Sequence, residues 1–309
     1  MSIRHIVLSL AAVFAALAIG VVLGARVLSG PDATDHGDGG LTQQVSTLTD
    51  ETSALREQLS AADEFDAQMS ARIVRDTLAG KSVALIRTPD AEDSDVDALR
   101  GLIEQAAGTV TGTIALTPEF VDGDSAEKLR SVVVSPIVPA GAQLSTTLTD
   151  AGAQAGDLLG IALLINRDPA VAPAGEAERD TVLAALRDTG FLTYAGAIGA
   201  ADTALVVTGG ALPADSGTRG ATVARFAAAM APHGSGTVLA GRLDPAGTVS
   251  AVAVTRADAG LSGALSTVDD VDTAAGRITA VLALRAMADG APAQQYGVGP
   301  GATARTVTR

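Results

Sequence analysis

The sequence predicts an α/β protein built as an N-terminal transmembrane helix, a coiled-coil stalk and a Rossmann-like α/β domain with a mainly parallel sheet. Three observations carry this. Ile6 to Ala25 is a run of twenty residues without a charge. From Leu41 apolar side chains return every seven residues. Beyond Ser82, short β-branched runs bounded by Pro and Gly alternate with amphipathic stretches, the pattern of strands joined by crossover helices.

Residues 1–28 form the anchor. A helix of twenty residues spans about 30 Å, the thickness of a bilayer's hydrocarbon core. Arg4 and His5 precede the run and Arg26 follows it. Ala12, Ala16, Gly20 and Gly24 recur every fourth residue, so small side chains share one helical face, and Gly20 with Gly24 makes a GxxxG pair that lets two backbones approach. Either the span packs against a copy of itself through this face, or the ladder is what an Ala- and Gly-rich sequence produces by chance. A cleaved signal peptide is the rival, but cutting after Ala25 would place Leu23 where a small residue is wanted. Basic groups before the span and Asp32, Asp35 and Asp38 after it put the N-terminus in the cytoplasm and the rest of the chain outside.

Residues 29–40, SGPDATDHGDGG, are a linker whose Gly, Pro and Asp content does not hold a helix. Residues 41–79 follow as a coiled-coil helix. Leu41, Leu48, Leu55, Ala62 and Met69 take the d positions of a heptad, and Val45, Thr52, Leu59, Asp66 and Ile73 the a positions. Thr52 and Asp66 suit a positions poorly, so the coil covers roughly three heptads and continues as a single helix to Leu78, with Gly80 as its stop. A helix from 41 to 78 would be about 57 Å long. A small-residue span followed by a heptad helix implies a parallel homo-dimer or higher oligomer.

Residues 80–290 read as an extracytoplasmic α/β domain, divisible into two halves near 168–175. Strands are expected at Ser82 to Thr88, Thr109 to Leu116, Thr203 to Thr208, Thr237 to Ala240 and Ser250 to Thr255. Helices are expected from an Asp95 cap to Ala107, over SAEKLRSVVV, over Glu176 to Asp188, over Val223 to Ala231 and over Arg277 to Met287. Leu144 to Ile165, with Gly152, Gly156 and Gly160 spaced by four, is either one closely packed helix or two helices with Asp157 capping the second. The Gly- and Pro-rich residues 291–309 read as a disordered tail.

Composition excludes several functions. The chain has net charge −14, and its first thirty residues hold only Arg4 and Arg26 as charged groups, so the remainder is more acidic still. Such a chain does not hold nucleic acid or anionic lipid by bulk charge. Without cysteine it has no disulfide, thiol nucleophile or Cys-ligated metal, which fits an exported protein. With no Trp and 2% aromatic residues, its core must be aliphatic.

Candidate chemistry is sparse. The first strand ends Arg87-Thr-Pro-Asp, without the GxGxxG turn of a dinucleotide site, and there is no P-loop, HExxH or GxSxG. No resident cofactor is implied. Gly209-Gly210 reads as a tight turn that could also admit a ligand to the backbone. Ser266 to Asp272, STVDDVD, gathers three carboxylates, the usual composition of caps and solvated turns. The candidate metal donors are His36, among Asp32, Asp35 and Asp38, and Met230 with His233; Pro232 breaks the helix that would align that last pair.

Phrases along nearly the whole chain carry a family resemblance: SLAAVFAALAIGVVLG, LREQLSAADEFD, IRTPDA, SAEKLRSVV, AGDLLGIALL, RDTVLAALRDTGF, VVTGGAL, VARFAAA, GSGTVLAGR and STVDDVDTAAGRITAVLAL. Together they resemble the mycobacterial copper transport protein B (MctB) family of actinobacteria. The resemblance implies a cell-envelope protein of mycolic-acid bacteria, associated with copper resistance, forming a channel in the outer membrane with copper as the transported ion. It assigns no pore or ligand residue.

The residues themselves suggest a different picture. Two Tyr and no Trp do not build the aromatic girdles of a membrane β-barrel. An α/β domain has open sheet edges and cannot face lipid, so a channel would have to be an oligomer of the N-terminal helix. Two expectations follow: a copper-efflux envelope protein acting as pore or pore-associated subunit, or a non-enzymatic anchored scaffold that dimerises and binds an envelope partner. An enzyme ranks third for want of a convergent acid, base and nucleophile.

Overall fold

The computed structural model describes residues 37–213, 215–245 and 249–308, with side chains from residue 43 onward. The expected membrane span with Ala12, Ala16, Gly20 and Gly24, and most of the linker with His36, lie outside the described residues. No helix among those described is long and apolar enough to cross a membrane. The chain divides into two units, Met1–Ala62 and Asp63–Arg309.

Helix α1, Gly37–Ile73, belongs to both units. In the first unit, every described side chain from 43 to 62 is exposed, including Val45, Leu48, Leu55 and Leu59. In the second, Asp63, Asp66 and Ser70 are partly covered at helical spacing. There the Asp63 carboxylate accepts the Ala274 N–H at 2.6 Å. Asp66, unsuited to an a position, thus lies on a face that is already partly covered. The helix starts at Gly37, inside the segment expected not to hold one, and ends at Ile73, earlier than the expected Leu78. Val74 and Leu78 pass into the core, and Gly80 turns the chain at φ +71°, where glycine is favoured.

The second unit is built on one seven-stranded sheet in the order β3-β2-β1-β4-β5-β6-β7. β1 (Ser82–Arg87), β2 (Thr109–Leu116), β4 (Thr203–Val207), β5 (Thr237–Ala240), β6 (Ser266–Val268) and β7 (Gln295–Tyr296) are parallel, and β3 (Leu192–Tyr194) pairs antiparallel with β2. The sheet is continuous, so residues 168–175 form a surface loop within one domain and not a boundary between halves.

Side-chain alternation divides the core into two faces. Ala84, Ile86, Ala204, Val206 and Leu239 point to one, under α5 (Ala151–Leu163), α6 (Glu176–Asp188) and α7 (Arg219–Met230). Val83, Leu85, Leu205, Val207 and Val238 point to the other, under α2 (Asp93–Gln105) and α10 (Ala274–Ala288). Short α3 (Pro118–Val121) and α4 (Ala126–Val133) lie in the long excursion between β2 and β3.

Several local expectations are corrected. Ser250 to Thr255 is no strand. The Ser250 hydroxyl accepts the Ala253 N–H and starts helix α8 (Ala251–Ala257), after which Asp258 caps α9 (Ala259–Ala264). Helix α5 is a single helix capped by Asp150, not Asp157, and begins seven residues after Leu144. Its glycine row is the line of crossing on α7: a Cβ at Gly156 would lie 2.2 Å from the Phe226 carbonyl oxygen. Asp95 is not the cap of α2 but a buried partner of Arg242, at 2.6 Å. The expected disordered tail instead supplies β7, and its Thr303 N–H and Gly297 N–H donate to Gln295 O and Ala304 O.

Candidate functional site

A groove of about 1190 Å³ lies over the α5–α7 face, walled by α5, α7 and the excursion between β2 and β3. Phe120, Leu129, Ala151 and Ala229 give it an apolar floor, with Phe120 set edge-to-face on Phe226 at 5.2 Å. Its rim is charged but internally paired. Arg225 meets Asp150 at 3.0 Å, and Arg130 donates to Glu127 and to the Thr149 carbonyl.

Asp157 and His233 stand at one end of this groove. Asp157 is buried in α5, and one of its oxygens accepts the Ser145 N–H while the other contacts His233 Nε2, both at 2.7 Å. Gly160, one turn along α5, makes room for the imidazole: a Cβ there would lie 2.6 Å from the ring. Since a carboxylate accepts, Nε2 carries the hydrogen of this contact, and in the neutral ring the lone pair is then on Nδ1. Nδ1 makes no hydrogen bond among the described residues. The ring also borders a second groove of about 570 Å³, in which Glu178 accepts the Ala140 and Gly175 N–H groups and is held below the usual carboxylate range by them.

An imidazole oriented by a buried carboxylate is a competent proton acceptor or single metal ligand. Met230 does not join it, because its side chain is fully buried in the core. Among the described residues no three His, Cys, Asp or Glu side chains converge in a metal-holding group. The Asp157–His233 pairing spans 76 residues and has no local motif. A carboxylate in the otherwise apolar AGDLLGIAL was the one available signal that a buried partner existed.

The carboxyl edge of the sheet, where doubly wound folds take ligands at the point of strand reversal, lies between β1 and β4. Here the chain fills that place itself. Asp90 accepts from Thr88 Oγ1 at 2.5 Å, from Thr208 Oγ1 at 3.2 Å and from the Gly209 N–H at 3.0 Å. A Cβ on Gly209 would lie 2.6 Å from the Asp90 carbonyl oxygen, so this glycine admits a segment of its own chain. A pocket of about 220 Å³ remains beside it, bordered by Pro89, Val121 and Val223.

The STVDDVD segment resolves into a strand and three carboxylates with different roles. Ser266–Val268 is β6. Asp269 is buried against Arg256 and accepts the Val298 and Gly299 N–H groups, while Arg256 donates to Tyr296 O and Pro300 O. Asp270 is raised to about 6, first by burial and then by the neighbouring Asp269 and Asp272 carboxylates. Asp272 is exposed. Caps and solvated turns therefore account for only part of this cluster.

Residues 1–307 match the family model described as copper transport outer membrane protein, MctB. The chain is 56% identical over 312 residues to the copper transporter MctB of Mycobacterium tuberculosis (strain ATCC 25618 / H37Rv), covering 100% of this chain and 99% of that protein. It is 57% identical over 325 residues to the copper transporter MctB of Mycobacterium leprae (strain TN), covering 99% of each.

Proposed function

Since the chain belongs to the MctB family of copper transport outer membrane proteins, we propose that it contributes to copper efflux and copper tolerance in the cell envelope, as a pore or as a subunit attached to one. One observation carries the reading: identity of 56–57% runs over essentially the whole of both chains, so residues 1–28, the α1 segment and the sheet domain all fall within the shared stretch. In this reading residues 1–28 anchor the protein and α1 is the stalk of a parallel oligomer. The domain is a non-enzymatic binding module on the extracytoplasmic side. His233 Nδ1 supplies a single imidazole donor that copper can reach in passing, a role suited to a transported ion and not to a tight resident site.

A second reading is favoured by the sheet edge. The ligand crevice at the strand reversal is filled by Asp90, and the apolar stripe of α1 is exposed, as in an anchored scaffold that binds an envelope partner. Planar-bilayer conductance separates the two. Full-length protein is expected to give current steps that vanish when residues 1 to 30 are removed. Silence from folded, oligomeric full-length protein would overturn the pore and leave the scaffold, with an indirect link to copper.

A further inference from the structure

We infer that α1 closes on a second copy of itself as a parallel, in-register coiled coil whose seam runs from Val45 to Ala62 and whose orientation is set by Glu51 of one copy meeting Arg56 of the other. The inference deepens the oligomer proposed above and stands whether or not copper moves.

Val45 is 63%, Leu48 55%, Leu55 59% and Leu59 70% exposed, far above what aliphatic side chains on one helical stripe show in a finished structure. They occupy successive a and d positions, the spacing that seats knobs into the holes of a facing helix. The a-position exception is reconciled by a local bond: Thr52 Oγ1 donates to Leu48 O at 2.6 Å, so its hydroxyl needs no partner across the seam. The seam is also bounded. At the next a position Asp66 would set two carboxylates face to face, and there α1 is already tied to its own domain through Asp63 and Ala274.

Charge selects the occupant and its direction. In this register Gln44, Glu51 and Gln58 take g positions and Thr49, Arg56 and Asp63 take e positions. A parallel pair places each g residue beside the e residue five positions on in its partner. Glu51 then meets Arg56 twice, once on each side, and no like charges meet. An antiparallel pair sets g against g and e against e and leaves Glu51 unanswered, because no g position of the seam is basic. Neither Glu51 nor Arg56 has an ion-pair partner within its own chain among the described residues.

The chain's lack of cysteine makes the test clean. In the full-length protein, Leu48→Cys and Leu59→Cys, introduced singly, are each expected to form disulfide-linked dimers under mild oxidation. Asp50→Cys and Glu57→Cys, on the outer face, should do so at least about tenfold less. Cross-linking at neither seam position, at only one of the two, or equally at the outer positions overturns the proposal. Charge reversal gives an independent arm. Glu51→Arg and Arg56→Glu should each weaken the dimer roughly tenfold. Mixing the two variants should restore pairing as a heterodimer, and failure to do so excludes the proposed register. Because none of these readouts is a conductance, a silent bilayer and a failed cross-link remain separate results.

Discussion

Asp270 is a residue whose protonation couples to the fold. Burial and two neighbouring carboxylates raise it to about 6 from an ordinary 3.8. One of its oxygens, Oδ1, is buried without a hydrogen bond in the described structure. The folded chain therefore keeps a proton that the unfolded chain has lost between those two values. Stability must fall as pH rises through that window, and the full penalty persists above it. The gap sets a ceiling of about 3 kcal/mol, which solvent screening at a partly open site lowers to roughly 1–2 kcal/mol. Asp270→Asn is expected to raise the denaturation midpoint at pH 7 and to change it little at pH 4. A chemical-denaturation series across that range checks this, and a constant difference at all pH values would contradict it. The STVDDVD segment drew notice in the sequence as an acidic cluster, but its division of labour could not be read there. Nothing in four neighbouring letters tells that Arg256 lies over Asp269 and not over Asp270.

At the scale of elements, the α5–α7 crossing gives the sharpest mutational expectation. Gly156→Ala would press a methyl to within 2.2 Å of the Phe226 carbonyl, a backbone atom that cannot swing aside. The helices must separate, at a cost of about 2–4 kcal/mol against the small gain in helix propensity. A fall in the urea midpoint measures it, whereas Gly101→Ala, where a Cβ meets nothing within 4 Å, should be neutral or stabilising. Elements governed by local signals were legible: β2 and α6 fall at Thr109–Leu116 and Glu176–Asp188, as the sequence indicates. Those governed by distant partners were not. The Val-rich stretch after Ser250 has strand composition, yet its cap makes it a helix, and β3, β6 and β7 are too short to carry a periodicity of their own.

At the scale of the whole domain, residues 295–300 close the β6 edge and the Arg256–Asp269 pair. Gly297 adopts φ +128°, and a side chain there would collide with Asp269, so the tail is shaped to the buried Arg256–Asp269 pair. Removing residues 291–309 would strip that pair of backbone partners and bare the β6 edge. Loss of about 3 kcal/mol or more is expected, with light scattering rising as the edge associates. An unchanged melting temperature and clear solution would restore the tail to the disorder its composition suggested. Gly and Pro content argued for that disorder because it reports only local stiffness. The hydrogen bonds that order the tail come from residues about thirty to forty positions earlier.

Because β7 follows every other strand in chain order and forms an edge of the sheet, it is the last strand that can be added as the chain is made. The Arg256–Asp269 pair stays open until residues 296–300 have emerged. Closure of the outer strands is thus the last step of the sheet's assembly in chain order. Its last strand thus acts as a clock: the domain closes only when the segment that completes its sheet is in place.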